Sequence, residues 1–359
     1  SAGWAGSLLG QVDFNALVMQ GMLSFLLFAG ALHVDLGELL ERKWQILSLA
    51  TVGVILSTLL IGTLVHQLLP WLGLAITWGE ALLFGALISP TDPIAVLGIL
   101  RGARAPRNLQ SIIVGESLFN DGVGVVVFTL LLGFAGKGHL PVIEAGELFL
   151  GEAAGGAVYG LLLGYVAFRL LRSVDNYLVE ILITLALVAG GYALAAALHT
   201  SGPIAMVVAG LFIGNHGRVF AMSETTRQHL DPFWELIDEI LNAVLFVLIG
   251  LELLVLDLHA LFLAAGLVAI LAVLASRFST VAVMVSILRR FRRFGPHAVR
   301  LLTWAGVRGG ISIALALSLP ASPARPLIIL MTYIVVVFSI LVQGLTIGKA
   351  IRWSASRAA

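Results

Sequence analysis

Cysteine is absent from this sequence, and charge is scarce. The first absence excludes a disulfide framework and any metal site built on thiolates. Asp, Glu, Lys and Arg make up 11% of the residues, where a soluble globular domain carries about 25%. Hydrophobic residues make up 59%, and the mean hydropathy is +1.04. A chain this apolar cannot present a water-compatible surface, so its solvent is a lipid bilayer. The alternation of apolar and polar residues over about 10 positions that marks an outer-membrane barrel is also missing. The apolar stretches here are apolar on every side and about 20 residues long, which is what a helix needs to cross a bilayer. An all-α polytopic membrane protein is therefore predicted. Low-complexity linkers and soluble segments long enough to fold alone are lacking too. The chain opens on Ser1 and residues 1–16 have no signal-peptide pattern, so it reads as a trimmed form of a longer one.

Eleven hydrophobic spans are predicted, over residues 17–35, 45–69, 80–100, 110–135, 148–170, 178–199, 203–216, 233–256, 260–288, 301–320 and 327–350. The span at 203–216 is short for a crossing and is expected to tilt or to merge with its neighbour. Charge sets the orientation. All but four of the 21 Lys and Arg residues fall in alternate loops, as Arg42 and Lys43, Arg101, Arg104 and Arg107, Arg169 and Arg172, Arg218 and Arg227, the Arg289–Arg300 cluster, and Lys349, Arg352 and Arg357. The opposite loops hold only Lys137 and Arg325, and the remaining two, Arg277 and Arg308, lie inside spans. The positive-inside rule places the carboxyl terminus in the cytoplasm.

Charged groups at membrane depth are costly and need a partner, a water-filled cavity or a function. Here they are Asp35, Asp92, Glu116, Asp121, Asp238, Glu239, Glu252, Arg277 and Arg308. The third span reads SPTDPIAV at 89–96, where Pro90 and Pro93 bracket Thr91 and Asp92. Proline removes a backbone donor and clashes with the preceding turn, so this helix is expected to break there. Broken backbone inside a membrane survives only where protein or a cavity surrounds it, and transporters use such segments to present carbonyls and helix ends to ions. The fourth span reads GESLFNDGVGVV at 115–126. Glu116 and Asn120 share one helix face, and Ser117 and Asp121 the next. Oxygen ligands of this kind suit a hard cation, and a carboxylate also binds a proton, so the two compete. The tenth span places Gly306, Gly309 and Gly310 around Arg308. This reads either as a second break or as close helix packing. A second break would pair spans two to four with spans nine to eleven as the inverted repeats of a transporter. Arg277, midway along the ninth span, requires a counter-charge; Glu116 is the preferred partner, with Arg308 the competing cation.

SPTDPIAV, GESLFND, GVRGGISIALALSLP, FWELIDEILNAVLFVLIG at 233–250 and the arginine of ASRFST at 275–280 together resemble bacterial sodium/proton antiporters of the NhaP type. These belong to the monovalent cation/proton antiporter group that includes animal sodium/proton exchangers. The resemblance covers nearly the whole chain. It implies an inverted-repeat antiporter fold with two broken, crossing helices in a single transmembrane domain over 1–359. Within it, a core bundle would hold about 45–135 and 260–350, and a dimerisation bundle about 1–44 and 148–256. The cation and proton site carries over to Asp121, Ser117 and the backbone of Thr91, with Asp92 behind them and Asp35 as the acidic ligand from an earlier helix. Asp121, Ser117 and Thr91 would be the direct ligands of the metal ion. Glu116 and Arg277 match a structural pair, with Asn120 bonded into that network and Arg308 beside it. One or two amino-terminal helices of the family are expected to be missing.

The implied activity is exchange of Na⁺, or Li⁺ or K⁺, for protons with 1:1 electroneutral stoichiometry. A single carboxylate, Asp121, follows Asn120 where electrogenic relatives carry two adjacent aspartates, and the span at 233–256 has no Lys or Arg. No cofactor is expected beyond the transported ions, and no nucleic acid. The expected partners are membrane lipids and a second copy of the chain, in a bacterial inner membrane. An intramembrane aspartyl protease using Asp92 and Asp121 is the competing enzyme reading, but it gives Glu116 and Arg277 no role. A cation channel would need no titratable ligand. His33, His66 and His199 read as packed or span-end residues rather than pH sensors, and most of the seven tryptophans as interfacial anchors.

Overall fold

The computed structural model describes residues 21–92, 107–135, 142–253, 260–290, 294 and 297–356. Among them every regular element is helical: α1 Leu23–Leu32, α2 Leu36–Glu41, α3 Lys43–Ala50, α4 Val52–Leu68, α5 Trp78–Ile88, α6 Arg107–Ala135, α7 Val142–Ser173, α8 Tyr177–Ala197, α9 Gly202–Phe212, α10 Glu224–Leu253, α11 Ala260–Leu288, α12 Ala298–Trp304, α13 Gly310–Leu317, α14 Arg325–Phe338 and α15 Leu345–Ser356. Polar side chains mark several starts. Thr77 and Glu80 form a reciprocal capping box on α5, and Asn176 and Ser201 cap α8 and α9.

Seven stretches of helix are long and apolar enough to cross a membrane: Lys43–Leu72, Leu109–Phe134, Ile143–Ser173, Tyr177–Ala197, Gly202–Phe220, Leu261–Leu288 and Arg325–Trp353. The span read at 203–216 is longer than its hydropathy indicated, because a π-helical turn at Ile213–Gly217 carries α9 on to Phe220. The other four predicted spans are not unbroken apolar helices. Of 17–35 the described part is the short α1; the described helix of 80–100 stops at Ile88, and 301–320 is interrupted. The described part of 233–256 runs inside α10, where Glu235, Asp238 and Glu239 break up the apolar run.

The chain divides into two compact units, Ser1–Leu40 with Leu140–Val255, and Glu41–His139 with Leu256–Ala359. In the first, α9 packs against α1 and α7, and α10 against α1 and α8. A side chain at Gly214 would strike the backbone of Leu32, so only glycine admits this approach. Trp234 is fully buried against Phe25 and Phe28, and its indole N–H donates to Thr184 Oγ1 at 3.0 Å. The second unit repeats one order of elements twice: a long helix, a short one that ends in unwound backbone, a long one. These are Lys43–Leu72, α5 with its break, and α6; then α11, the α12–α13 pair, and α14–α15. Leu49, Ile113, Val281, Leu302, Val307 and Ile347 pack into one apolar cluster.

Candidate ion-binding site

The site is built where two interrupted helices of the second unit meet. The helix α5 stops at Ile88, and Ser89–Asp92 continue without helical bonds. Pro90 explains the stop on this side; Pro93 lies outside the described residues. The helix α12 stops at Trp304, Gly306–Gly309 are non-helical, and α13 begins at Gly310. The Asp92 backbone N–H donates to the Val307 carbonyl at 2.7 Å, which ties one break to the other. Arg308 is buried, and its Nη1 donates to the Ser89 carbonyl and, at 2.9 Å, to the Pro90 carbonyl. Carbonyls at a helix carboxyl end lack helical donors and carry partial negative charge, so a guanidinium satisfies both needs of α5. Asp92 does the reverse. A Cβ added to Gly309, which precedes the first turn of α13, would overlap the Asp92 carboxylate. That carboxylate therefore faces the positive end of α13. The glycines around Arg308 serve both readings at once, the break and the close approach.

Glu116 on α6 and Arg277 on α11 are both buried and form a two-pronged pair. Nη1 donates to Oε1, Nη2 donates to Oε2 at 2.9 Å, and Nη2 also donates to the Leu302 carbonyl at 3.2 Å. Fork-to-fork geometry is the strongest form of this ion pair. Arg277 thus lends its charge to the carboxyl end of α12, as Arg308 does for α5. Gly306 leaves the room: a Cβ there would lie 2.7 Å from Arg277 Nε. Between the two arginines, Arg277 is the one bonded to Glu116.

Next on α6 come Ser117, Asn120 and Asp121, all buried. The Asn120 amide grips Thr91 twice. Its Oδ1 accepts from the Thr91 backbone N–H at 3.2 Å, and its Nδ2 donates to Thr91 Oγ1 at 2.7 Å. The Thr91 and Ser117 hydroxyls share a hydrogen bond of 3.0 Å. The resemblance had Asn120 in the Glu116–Arg277 network; its amide instead fastens α6 to the broken strand of backbone, because four residues fix a helix face but not the neighbour it meets. Asp121 is 7% exposed and lies one turn from Ser117. It makes no hydrogen bond to a described residue. The arrangement offers a buried carboxylate, two hydroxyls and unwound backbone. Such a set binds a small hard cation through oxygen or a proton on the carboxylate. No three His, Asp or Glu side chains group as a resident metal centre among the described residues.

Asp35 belongs to the other unit, is exposed, and its Oδ1 accepts from the Glu38 N–H at 3.0 Å at the start of α2. Asn215, from the π-helical turn, holds the chain on either side of it, accepting from Leu36 N–H and donating to the Val34 carbonyl, each at 2.9 Å. His33 and His66 bond the carbonyls of Ala29 and Ile76 at 2.9 and 3.0 Å, and His199 takes a left-handed backbone conformation past α8. Asp238 and Glu239 lie in the first unit too; the side chain of Glu252 and residues 291–293 fall outside the described residues. Sequence reading passed over Gln343. It is 2% exposed and donates from Nε2 to the Trp304 carbonyl at 3.3 Å, at the mouth of the second break. The available signal was a hydroxyl and an amide, Ser339 and Gln343, four residues apart in an otherwise apolar run.

Comparison with known proteins bears on the whole chain. A family model described as "Sodium/hydrogen exchanger, transmembrane" matches residues 3–353. The Na(+)/H(+) antiporter NhaP of Pseudomonas aeruginosa is 55% identical over 347 residues, covering 95% of this chain and 82% of its own. The Na(+)/H(+) antiporter NhaH of Halobacillus dabanensis is 38% identical, covering 94% and 83%. Among solved structures, the sodium proton antiporter MjNhaP1 of Methanocaldococcus jannaschii at pH 8 shares the fold, with a TM-score of 0.78 at 20% identity over 98% of this chain and 87% of that one.

Proposed function

We infer the function from one premise: the chain belongs to the sodium/hydrogen exchanger family. It is a multi-pass membrane antiporter that exchanges Na⁺ for H⁺. That family is one of transporters rather than enzymes, and neither the protease nor the channel reading finds support among the relatives named above. The observation that carries the mechanism is the buried cluster at the crossing. Asp121 binds a proton or a cation in turn, Ser117 and the Thr91 carbonyl add oxygen ligands, and Asn120 holds Thr91 in place. Asp92 and Arg308 keep their charges and stabilise the facing helix ends. Glu116 and Arg277 hold α6 against α11. Asp35, which caps the start of α2, is the acidic ligand that the family resemblance adds to this set. One carboxylate that exchanges one proton for one monovalent cation carries the same charge both ways, so transport is electroneutral. The unit holding the site is the transport core, and the other is the dimerisation bundle of a homodimer. Loop arginines put the carboxyl terminus in the cytoplasm of a bacterial inner membrane, beside anionic lipid headgroups.

The test is ΔpH dissipation in proteoliposomes by Na⁺, Li⁺ and K⁺, with a potassium diffusion potential of zero or about −100 mV, worth about 2.3 kcal/mol per charge moved. Cation-dependent proton movement at equal initial rates under both potentials is expected. Cation flux without proton movement would establish a channel, and a reversal point that follows voltage would demand a second proton carrier.

A further inference from the structure

We propose that Gln343 is a positioning residue for ion binding, which it serves by fixing the backbone break that carries Arg308. The proposal deepens the antiport reading above and rests on it. The run from Arg325 is α-helical to Phe338 and resumes at Leu345; between them Ser339–Gly344 form a π-helical turn. Such turns inside α-helices are uncommon, and often mark functional positions. Here the turn presents one amide inward. Gln343 is buried in an apolar wall, where an unmade hydrogen bond is costly, and both ends of its amide are used. The Ser339 hydroxyl donates to Oε1 at 2.7 Å, and Nε2 donates to the Trp304 carbonyl. A carbonyl only accepts, so Ser339 and Trp304 together fix which way the amide points.

The bonded carbonyl stands where α12 ends. Four residues on is Arg308, whose guanidinium holds the Ser89 and Pro90 carbonyls, and three on is Val307, whose carbonyl takes the Asp92 N–H. A second contact braces the same point: the Trp304 indole N–H donates to Thr346 Oγ1 at 2.8 Å. The break at Ala305–Gly309 has glycine at two positions and little stiffness of its own. Its register is therefore set by what grips its ends, Arg308 on one side and Gln343 on the other. The Asn215 amide in the other unit is a related device: a π-helical turn supplies a side-chain amide that binds backbone at a helix interruption, there on both sides of it. Loss of the Gln343 bond lets the break shift, moves Val307 and Asp92 with it, and loosens the surroundings of Asp121.

The test compares the parent with Gln343→Leu, Ser339→Ala, Arg308→Lys and the Gln343→Leu/Arg308→Lys double variant as purified full chains in proteoliposomes. Apparent KM for Na⁺, maximal rate and melting temperature are read for each. Gln343→Leu is expected to raise KM about fivefold, the weight of one ordinary hydrogen bond, with the maximal rate largely kept. Ser339→Ala, which removes only the hydroxyl bonded to the amide oxygen, should raise it about twofold. In the double variant the effects should fall short of additive, as they do for residues acting through one segment. A Gln343→Leu protein that melts lower but keeps the parental KM would overturn the proposal, and so would full additivity with Arg308→Lys. Where Gln343→Leu does not fold, Ser339→Ala decides, and an unchanged KM there overturns it. A parent without Na⁺-dependent proton movement would instead defeat the antiport reading itself.

Discussion

The two breaks in the second unit reach the same state by opposite means. One is made by proline and the other by glycine. At Ser89–Asp92 a missing donor and a steric clash at Pro90 stop the helix whatever its surroundings. At Gly306–Gly309 nothing forbids a helix; the glycines tolerate an extended path, and the partners Arg277, Arg308 and Gln343 impose it. The charges differ in the same way. The glycine break carries Arg308, which holds the end of the proline break, and the proline break carries Asp92, which faces the start of α13. The difference teaches that one break is specified locally and the other by its contacts. Substitutions at the second should therefore propagate further.

The sharpest way to break this comparison is to remove a cation. Arg308→Leu leaves two helix-end carbonyls without their donor, and Arg277→Ala or Glu116→Gln strands the other half of a buried pair. Each should cost about 3–5 kcal/mol of stability, read as a large loss of melting temperature and yield. Variants that melt like the parent would show that the arginines do not hold the helix ends. Smaller effects should come from the glycines. Gly306→Ala and Gly309→Ala each force an overlap, worth about 1–3 kcal/mol. They should part in transport, because Gly309→Ala displaces Asp92 and should raise the Na⁺ KM, while Gly306→Ala displaces only Arg277 and should not. Equal KM values in the two variants would erase that distinction. The smallest change in stability belongs to Asp92→Asn, about 0.3–1 kcal/mol as for a charge at a helix end, accompanied by a KM about fivefold higher. An unchanged KM, or a melting loss as large as that of Arg308→Leu, would make Asp92 a structural residue.

Much of this site is legible in the residues themselves, because few charged groups lie at membrane depth and each demands an explanation. The prolines around Thr91 and Asp92 announce a break, and the spacing of GESLFND puts its four polar groups on neighbouring faces. With so few buried charges to choose from, Arg277 and Glu116 could be matched across 161 positions. What escaped was partner choice. Asn120 shares a face with Glu116, yet its amide turns to Thr91, since periodicity assigns a face and not the element opposite. Asp35 reads as a ligand only through resemblance; Glu38 three residues on is also the mark of a helix start, and the Asp35 carboxylate caps α2. Gln343 was hidden by the π-helical turn, which rotates the face that a 3.6-residue period would assign.

The account turns on one claim, that Na⁺ and H⁺ contend for the Asp121 carboxylate. The direct measurement is the apparent Na⁺ KM against pH in proteoliposomes of the parent, with Asp121→Asn alongside as the control that should be inactive though folded. Competition for a single site predicts that on the acid side KM rises about tenfold per pH unit while the rate at saturating Na⁺ stays constant. A KM that ignores pH while the maximal rate falls, or substantial antiport by Asp121→Asn, would contradict it.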